Sequence, residues 1–399
     1  MPKTIEHTVG QLTWLGPFLC IGFVILALIR PSPKFPIPNH YRRVVDASGA
    51  PVRVALPFRG AALTWGISAP EYIEDTRAPG VLIHGGGAAA RKWFARQVIS
   101  WIYPKVLKDD KVWDPKPTAY AHGPYAEVEK LMAFNPGAYL GIGGGPATLL
   151  KRAGLPALCV RCGRGKNWDD EIFATARVMT ALLGDPQQGE RLIADYLQTF
   201  KDLENELRPS TIPEWPGVLI MGSMTRNRNH LYVKSVLNSY RIYLPPAAVR
   251  NASKGWTGER QDAERILAMD PDYIFLVGVK EPPFATQGPK EFMKDPRWRG
   301  LKAVREKRVY RMPGSGPGGL AGLIFQPMWV RWMAEIVHPD RLQPKVRKML
   351  RDRLLHQFGY HITDDRIDAQ LHLDENRDSA GYKRFTRDYR PVEKKEPAK

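Results

Sequence analysis

The sequence predicts an α/β fold of two lobes joined by a long connector helix, with a hydrophobic segment ahead of them. Three observations carry this. Short apolar runs alternate with helical stretches along most of the chain, the signature of layers built on largely parallel sheets. A long helical region separates the first three of these runs from the last two. The two halves also share a pattern, a Pro that introduces an apolar run at Pro136 and again at Pro271.

Taken in order, Leu12 to Ile29 carries no charge. At ~1.5 Å per helical residue it reaches about 27 Å, close to the thickness of a bilayer core. Lys3 gives it a basic start, no A-x-A cleavage site follows, and Arg30 ends it. The expectation is export, with this segment either cleaved or kept as an anchor. The Pro-rich stretch to Pro38 is a spacer, so residues 1–40 stand apart from the fold. The folded part opens with two β-rich runs flanking Ser48-Gly49, a hairpin signal. The apolar runs Gly80–Ile83, Ala138–Ile142 and Pro156–Val160 then define a first lobe over 41–168.

Asp169 and Asp170 start a helix that continues to Leu183, where Gly184-Asp185-Pro186 interrupts. In the next helix, Gln187 to Leu207, the residues Leu192, Tyr196, Phe200, Leu203 and Leu207 share one face. Residues 169–210 are therefore the expected connector. Val218–Met221 and Tyr273–Val277 belong to a second lobe over 211–374, and 375–399 has the polar composition of a disordered tail.

Composition excludes several classes. A 43% hydrophobic and 25% charged chain is an ordinary globular protein, and three cysteines in 399 residues exclude a disulfide scaffold. A mean hydropathy of −0.35 excludes a polytopic membrane protein. The net charge is +18. Zinc-finger spacing, basic heptads and RNA-binding strand motifs are absent, so nucleic acid is not the expected partner. An anionic ligand, an anionic membrane surface, or a basic surface with no specific role all accommodate the charge.

No catalytic constellation is complete. His84-Gly85-Gly86-Gly87 resembles an oxyanion loop, but the chain lacks the G-x-S-x-G elbow that such chemistry needs. Gly141 to Pro146 follows a strand without the Lys and Ser/Thr of a phosphate loop, which leaves a small-residue turn with room for a ligand. Cys159-x-x-Cys162 is at most half a zinc site, and a local disulfide is the other reading. His84, His122, His230 and Tyr232 form no ligand-spaced cluster, so no metal site and no cofactor are expected. Arg59, Arg91, Arg161, Arg164, Arg226 and Arg228 fall in loops after predicted strands, where planar guanidinium groups suit carboxylate or phosphate. The aromatic stretch from Arg91 to Tyr125 either stacks on a large ligand or packs an extra surface helix.

From Tyr41 to Leu373 the motifs, in order and spacing, resemble the periplasmic substrate-binding proteins of iron-siderophore, haem and cobalamin ABC importers. They comprise Val44–Gly49, Asn135–Leu140, Gly154–Leu158, Ala181–Asp185 with Ala194-x-Tyr196, Glu264–Ile274, Asp295–Trp298 through Arg308–Tyr310, and Ala334–Pro339. Gly137 departs from the pattern by replacing the usual aspartate. The resemblance implies two Rossmann-like lobes, a ligand held between them without bond chemistry, and a permease partner gripped by one acidic residue per lobe. Glu129 and Glu264, each seven residues before Pro136 and Pro271, are the expected docking pair. The expected ligand is an iron chelate, with haem, cobalamin or a metal oxyanion as alternatives. The expected contacts are Arg59, Trp65, His84, Arg161, Arg164, Arg226, His230 and Tyr232. The expected location is periplasmic, free or anchored to the inner membrane. A membrane-tethered hydrolase or transferase, or an accessory protein that has lost ligand binding, are the competing classes.

Overall fold

The computed structural model describes residues 40–390 apart from 64–68, 85, 88–90, 92–93, 96–97, 111, 115–135, 143–149, 153, 162–167, 209–210, 228–229, 236–245, 253–259, 262, 278–287 and 314–321. The chain opens with a hairpin of β1 (His40–Val45) and β2 (Pro51–Leu56). Asp46 makes its turn. One carboxylate oxygen accepts from the Ser48 amide at 2.9 Å and the Ala50 amide at 3.1 Å. The other accepts from Lys151 Nζ at 2.6 Å and the Cys159 amide at 3.2 Å, so the turn is tied to the lobe beneath it.

That lobe is a four-stranded parallel sheet of β3 (Ala61–Leu63), β4 (Leu82–His84), β7 (Ala138–Ile142) and β8 (Ala157–Arg161), in the order β4-β3-β7-β8. A separate short parallel pair, β5 (Gly86–Gly87) and β6 (Trp113–Asp114), lies between β4 and β7 in sequence. Both faces of the sheet are covered, as parallel sheets require. Ala61, Leu63, Ala138, Leu140, Leu158 and Val160 join the main core, while Ala62, Tyr139 and Ala157 pack with Leu150 in a second cluster.

The second lobe holds β9 (Gly217–Asn227), β10 (His230–Ser235), β11 (Arg250–Asn251), β12 (Arg260–Gln261), β13 (Tyr273–Leu276) and β14 (Val309–Arg311). Its parallel strands run in the order β11-β9-β13-β14. In each lobe the parallel strands therefore lie second, first, third, fourth. Beyond this shared core, the carboxyl half of β9 turns into an antiparallel hairpin with β10, which in turn pairs with β12.

Two packed helices lie between the lobes in sequence. Helix α1 (Trp168–Leu183) covers β8, and helix α2 (Pro186–Leu207) lies alongside α1 and also packs on α3 (Gln326–Val337) of the second lobe. The break between α1 and α2 has a local cause. Gly184 sits at φ +88°, Asp185 caps α2 by accepting from the Gln188 amide at 3.0 Å, and Pro186 occupies the first turn. The expected face of α2 is the buried one: Leu192, Tyr196, Phe200, Leu203 and Leu207 all lie in the core. The connector region expected over 169–210 consists of these two packed helices, the first of which packs on β8 of the first lobe. Tyr196 ties the three helices together: its hydroxyl donates to Asp169 at 2.8 Å and accepts from Gln326 Nε2 at 3.0 Å.

The expected disordered tail is corrected for 375–390, which forms a strap on the second lobe. Asn376 brackets the edge strand β14, accepting from the Arg311 amide at 2.6 Å and donating to the Arg311 carbonyl at 3.0 Å. Ser379 Oγ donates to the Val309 carbonyl at 2.6 Å, and the Ala380 amide to the Lys307 carbonyl at 2.8 Å. Tyr382 and Phe385 enter the core beside Trp332, and Arg384 donates to the carbonyls of Glu335 and Leu342. Polar composition concealed this, because most of the strap's work is hydrogen bonding to backbone. Residues 391–399 and the amino-terminal hydrophobic segment lie outside the described residues. Among the described residues no helix is long and apolar enough to cross a membrane.

Candidate functional site

In open α/β sheets a ligand crevice forms at the carboxyl ends of the strands, where the strand order reverses. In the first lobe that point lies between β3 and β7. Two of the expected residues end strands here, and a third follows β3 in sequence. Trp65 follows the last residue of β3 by two positions, His84 is the last residue of β4 and Arg161 the last of β8. β4 and β8 form opposite edges of the sheet, and the register sets His84 level with Ala157, the first residue of β8, with Arg161 four residues further along. Trp65 and Arg164 themselves, and the side chain of His84, lie outside the described residues.

Arg161 is the best-defined member. It is only 6% exposed, an unusual place for a guanidinium. Its Nε donates to Thr175 Oγ1 at 3.2 Å. Thr175, on α1, lies 2.8 Å from the Glu171 carbonyl and 3.1 Å from the Val160 carbonyl, so the hydroxyl is held between helix and strand. Burial pulls the Arg161 pKa down to about 10, with Glu171 opposing the shift, and the group stays charged at neutral pH. Sequence reasoning passed over Thr175, an unremarkable helical threonine fourteen residues on; only the packing of α1 against β8 reveals it.

In the second lobe Arg226 lies on β9, and His230 and Tyr232 on β10. The register sets Arg226 opposite Leu231, Asn227 opposite His230 and Thr225 opposite Tyr232. The three expected residues therefore share the hairpin that extends the carboxyl end of β9. Their side chains lie outside what is described.

Arg59 does not join them. It is exposed and precedes β3, at the amino end of the sheet. The strand before it, β2, belongs to the opening hairpin, so the following loop opens on the opposite side from the crevice. The same stretch explains Gly137. A Cβ there would lie 2.8 Å from Phe58 Cδ2 and 2.9 Å from the Arg59 amide, so neither aspartate nor alanine fits without displacing the chain.

The described part of the aromatic stretch is structural. Phe94 and Trp113 pack with ring centroids 5.2 Å apart, and Trp113 Nε1 donates to the Val106 carbonyl at 2.7 Å. Tyr103 meets Phe358 edge to face at 6.3 Å. Trp93 and Tyr120 are outside the described residues. Cys159 is disulfide-bonded, to a partner outside the described residues, which removes it as a thiolate ligand. No group of three or more His, Cys, Asp or Glu among the described residues is arranged to hold a metal ion. Glu264 is exposed in the first turn of helix α4 (Ala263–Met269), directly ahead of β13; Glu129 precedes the equivalent strand β7 but lies outside the described residues.

Two lobes whose parallel strands share one order, with the packed helices α1 and α2 between them in sequence, have the architecture of two-lobe solute-binding proteins. The periplasmic binding protein family matches residues 81–315, more than half of the chain, and the chain belongs to that family. It is accordingly an extracytoplasmic solute receptor that works with an ABC importer permease, and not an enzyme. The chain is similar to the iron-uptake system-binding protein of Bacillus subtilis (strain 168), with 23% identity over 263 residues, 64% of this chain and 75% of that protein. Its fold is similar to a periplasmic solute binding protein from Veillonella parvula, with TM-score 0.67, 21% identity, and coverage of 85% of this chain and 99% of that one. The molybdate-bound MolA of Haemophilus influenzae is similar at TM-score 0.63 and 14% identity, covering 81% and 99% of the two chains.

Proposed function

We propose that this receptor captures an anionic iron chelate, a ferric siderophore, and delivers it to its permease. The observation that carries the reading is Arg161, a buried cation fixed by Thr175 at the carboxyl end of β8. A planar guanidinium suits the carboxylate and catecholate oxygens of such a chelate. Arg164, three residues on, and Arg226 with His230 and Tyr232 on the second lobe supply the further contacts in this reading. The similarity to an iron-uptake binding protein supports iron as the cargo.

Titration of the full-length chain in neutral detergent against ferric siderophores, haem, cobalamin and oxyanions, followed by tryptophan fluorescence and calorimetry, tests this. Tight saturable binding of a ferric siderophore is expected, at least tenfold weaker in Arg161→Ala. Tight binding of a different class alone, or equal affinity in the variant, would reject the assignment.

In the same reading Glu129 and Glu264 dock the two lobes on the permease. They precede equivalent strands at equal offset, and Glu264 is exposed. One acidic residue per lobe would steer and orient a partner more than it adds affinity. Reversing both charges to Arg should cut transport by tenfold or more while chelate affinity stays within twofold. Undiminished uptake by the double variant in cells would remove the docking role.

A further inference from the structure

Away from the crevice, the second lobe contains a cavity of about 590 Å³. Its walls come from three places: helix α5 (Pro289–Lys294), the short helix α6 (Lys302–Arg305) with Lys307, and the strap at 377–383. The strap is pinned there by the bonds of Ser379 and Ala380 to Val309 and Lys307, at the amino end of β14. The cavity thus opens at the opposite end of the sheet from the candidate chelate site.

Its lining is strongly one-sided. Lys290, Lys294, Arg305, Lys307, Arg377 and Lys383 face a single carboxylate, Asp378. None of the four lysines makes an ion pair among the described residues. Among the described residues Arg377 pairs with Asp374, where both side chains are largely exposed and the pair is worth little. Six cations around one concavity repel one another and focus a positive potential into it. A volume of this size falls within the range of small-molecule sites. Two guanidinium groups among ammonium groups match the geometry and charge of phosphate.

We infer that this cavity is a second binding site, for an anionic phosphate group. Such a group belongs either to a free phosphorylated anion or to the headgroup of an anionic phospholipid. The site is independent of the chelate reading, since it shares no residue with that crevice.

The test uses the full-length chain in neutral detergent and the double variant Lys294→Gln with Lys383→Gln, both side chains being exposed. Calorimetry with inorganic pyrophosphate, against sodium chloride of equal ionic strength, should show saturable binding at least tenfold weaker in the variant. The variant's thermal midpoint should be unchanged or higher, because repulsion is relieved. Flotation with phosphatidylcholine vesicles, with and without phosphatidylglycerol, separates the two sources. A phosphatidylglycerol-dependent gain that the variant loses, without pyrophosphate binding, assigns the site to lipid; pyrophosphate binding without that gain assigns it to a free anion. No response above the chloride control in either arm, or equal responses in the variant, would overturn the inference. Weakened siderophore binding in the variant would overturn its separateness.

Discussion

Replacing Glu335 by Ala should lower the unfolding free energy by about 3–5 kcal/mol, the cost of breaking a buried ion pair on one side. Glu335 is fully buried on α3. Its carboxylate accepts from Arg331 Nε at 2.6 Å, from the Lys345 amide at 2.7 Å and from the Val346 amide at 3.4 Å. The last two amides open helix α7 (Val346–Phe358), so the side chain also serves as that helix's cap. Arg331 continues to Glu206 on α2 through contacts of 2.5 and 3.1 Å, which joins the helical hairpin to the second lobe. Loss of the carboxylate leaves two amides without an acceptor and a buried guanidinium with half its compensation. The double variant Arg331→Met with Glu335→Leu should cost less than the single change, since a well-packed apolar pair avoids the desolvation. Urea unfolding of the three proteins decides it. A single-variant loss below ~1 kcal/mol would show that the network contributes little, and a double variant less stable than the single would show that Arg331 stabilises through Glu206 by more than its desolvation costs.

The second large effect is at Asp46. Asp46→Ala should cost roughly 3 kcal/mol, because the carboxylate is buried and its donors would be left without an acceptor. Burial alone would raise its pKa; the bonds from Lys151, Ser48, Cys159 and Ala50 outweigh that and hold it below the ordinary value of 3.8. The depressed group therefore stabilises the fold fully above the unfolded pKa, and that stabilisation is lost as pH falls through the folded one. Stability measured between pH 5 and pH 2 should drop with a slope that Asp46→Asn lacks. Parallel curves for the two proteins would assign the acid sensitivity elsewhere.

Much of the framework was legible because its signals are local. Ala138–Ile142 and Tyr273–Leu276 are apolar runs bounded by Pro, and the buried face of α2 repeats at helical spacing. β3 was not legible: Ala61-Ala62-Leu63 is three residues long and covered on both sides, so it has neither length nor alternation. The carboxyl half of β9, through Gly222-Ser223-Met224-Thr225, has no apolar pattern and is defined by its partner β10. Among the expected contacts, Arg161 was legible as the end of a strand of the first-lobe sheet, whereas Arg59 follows a strand of the opening hairpin. The cationic cavity has no linear signature, since its walls come from stretches about seventy residues apart in sequence.

The strap has a consequence for how the chain reaches its native state. Tyr382 and Phe385 fill the core of a lobe whose first strand begins at Gly217. In the interval before the strap joins, Trp332 and the edge of β14 stay uncovered, so this lobe is completed by the last stretch of chain to pack on it. During that interval the unfinished half is a client for holding chaperones, and a product truncated before Tyr382 would remain one.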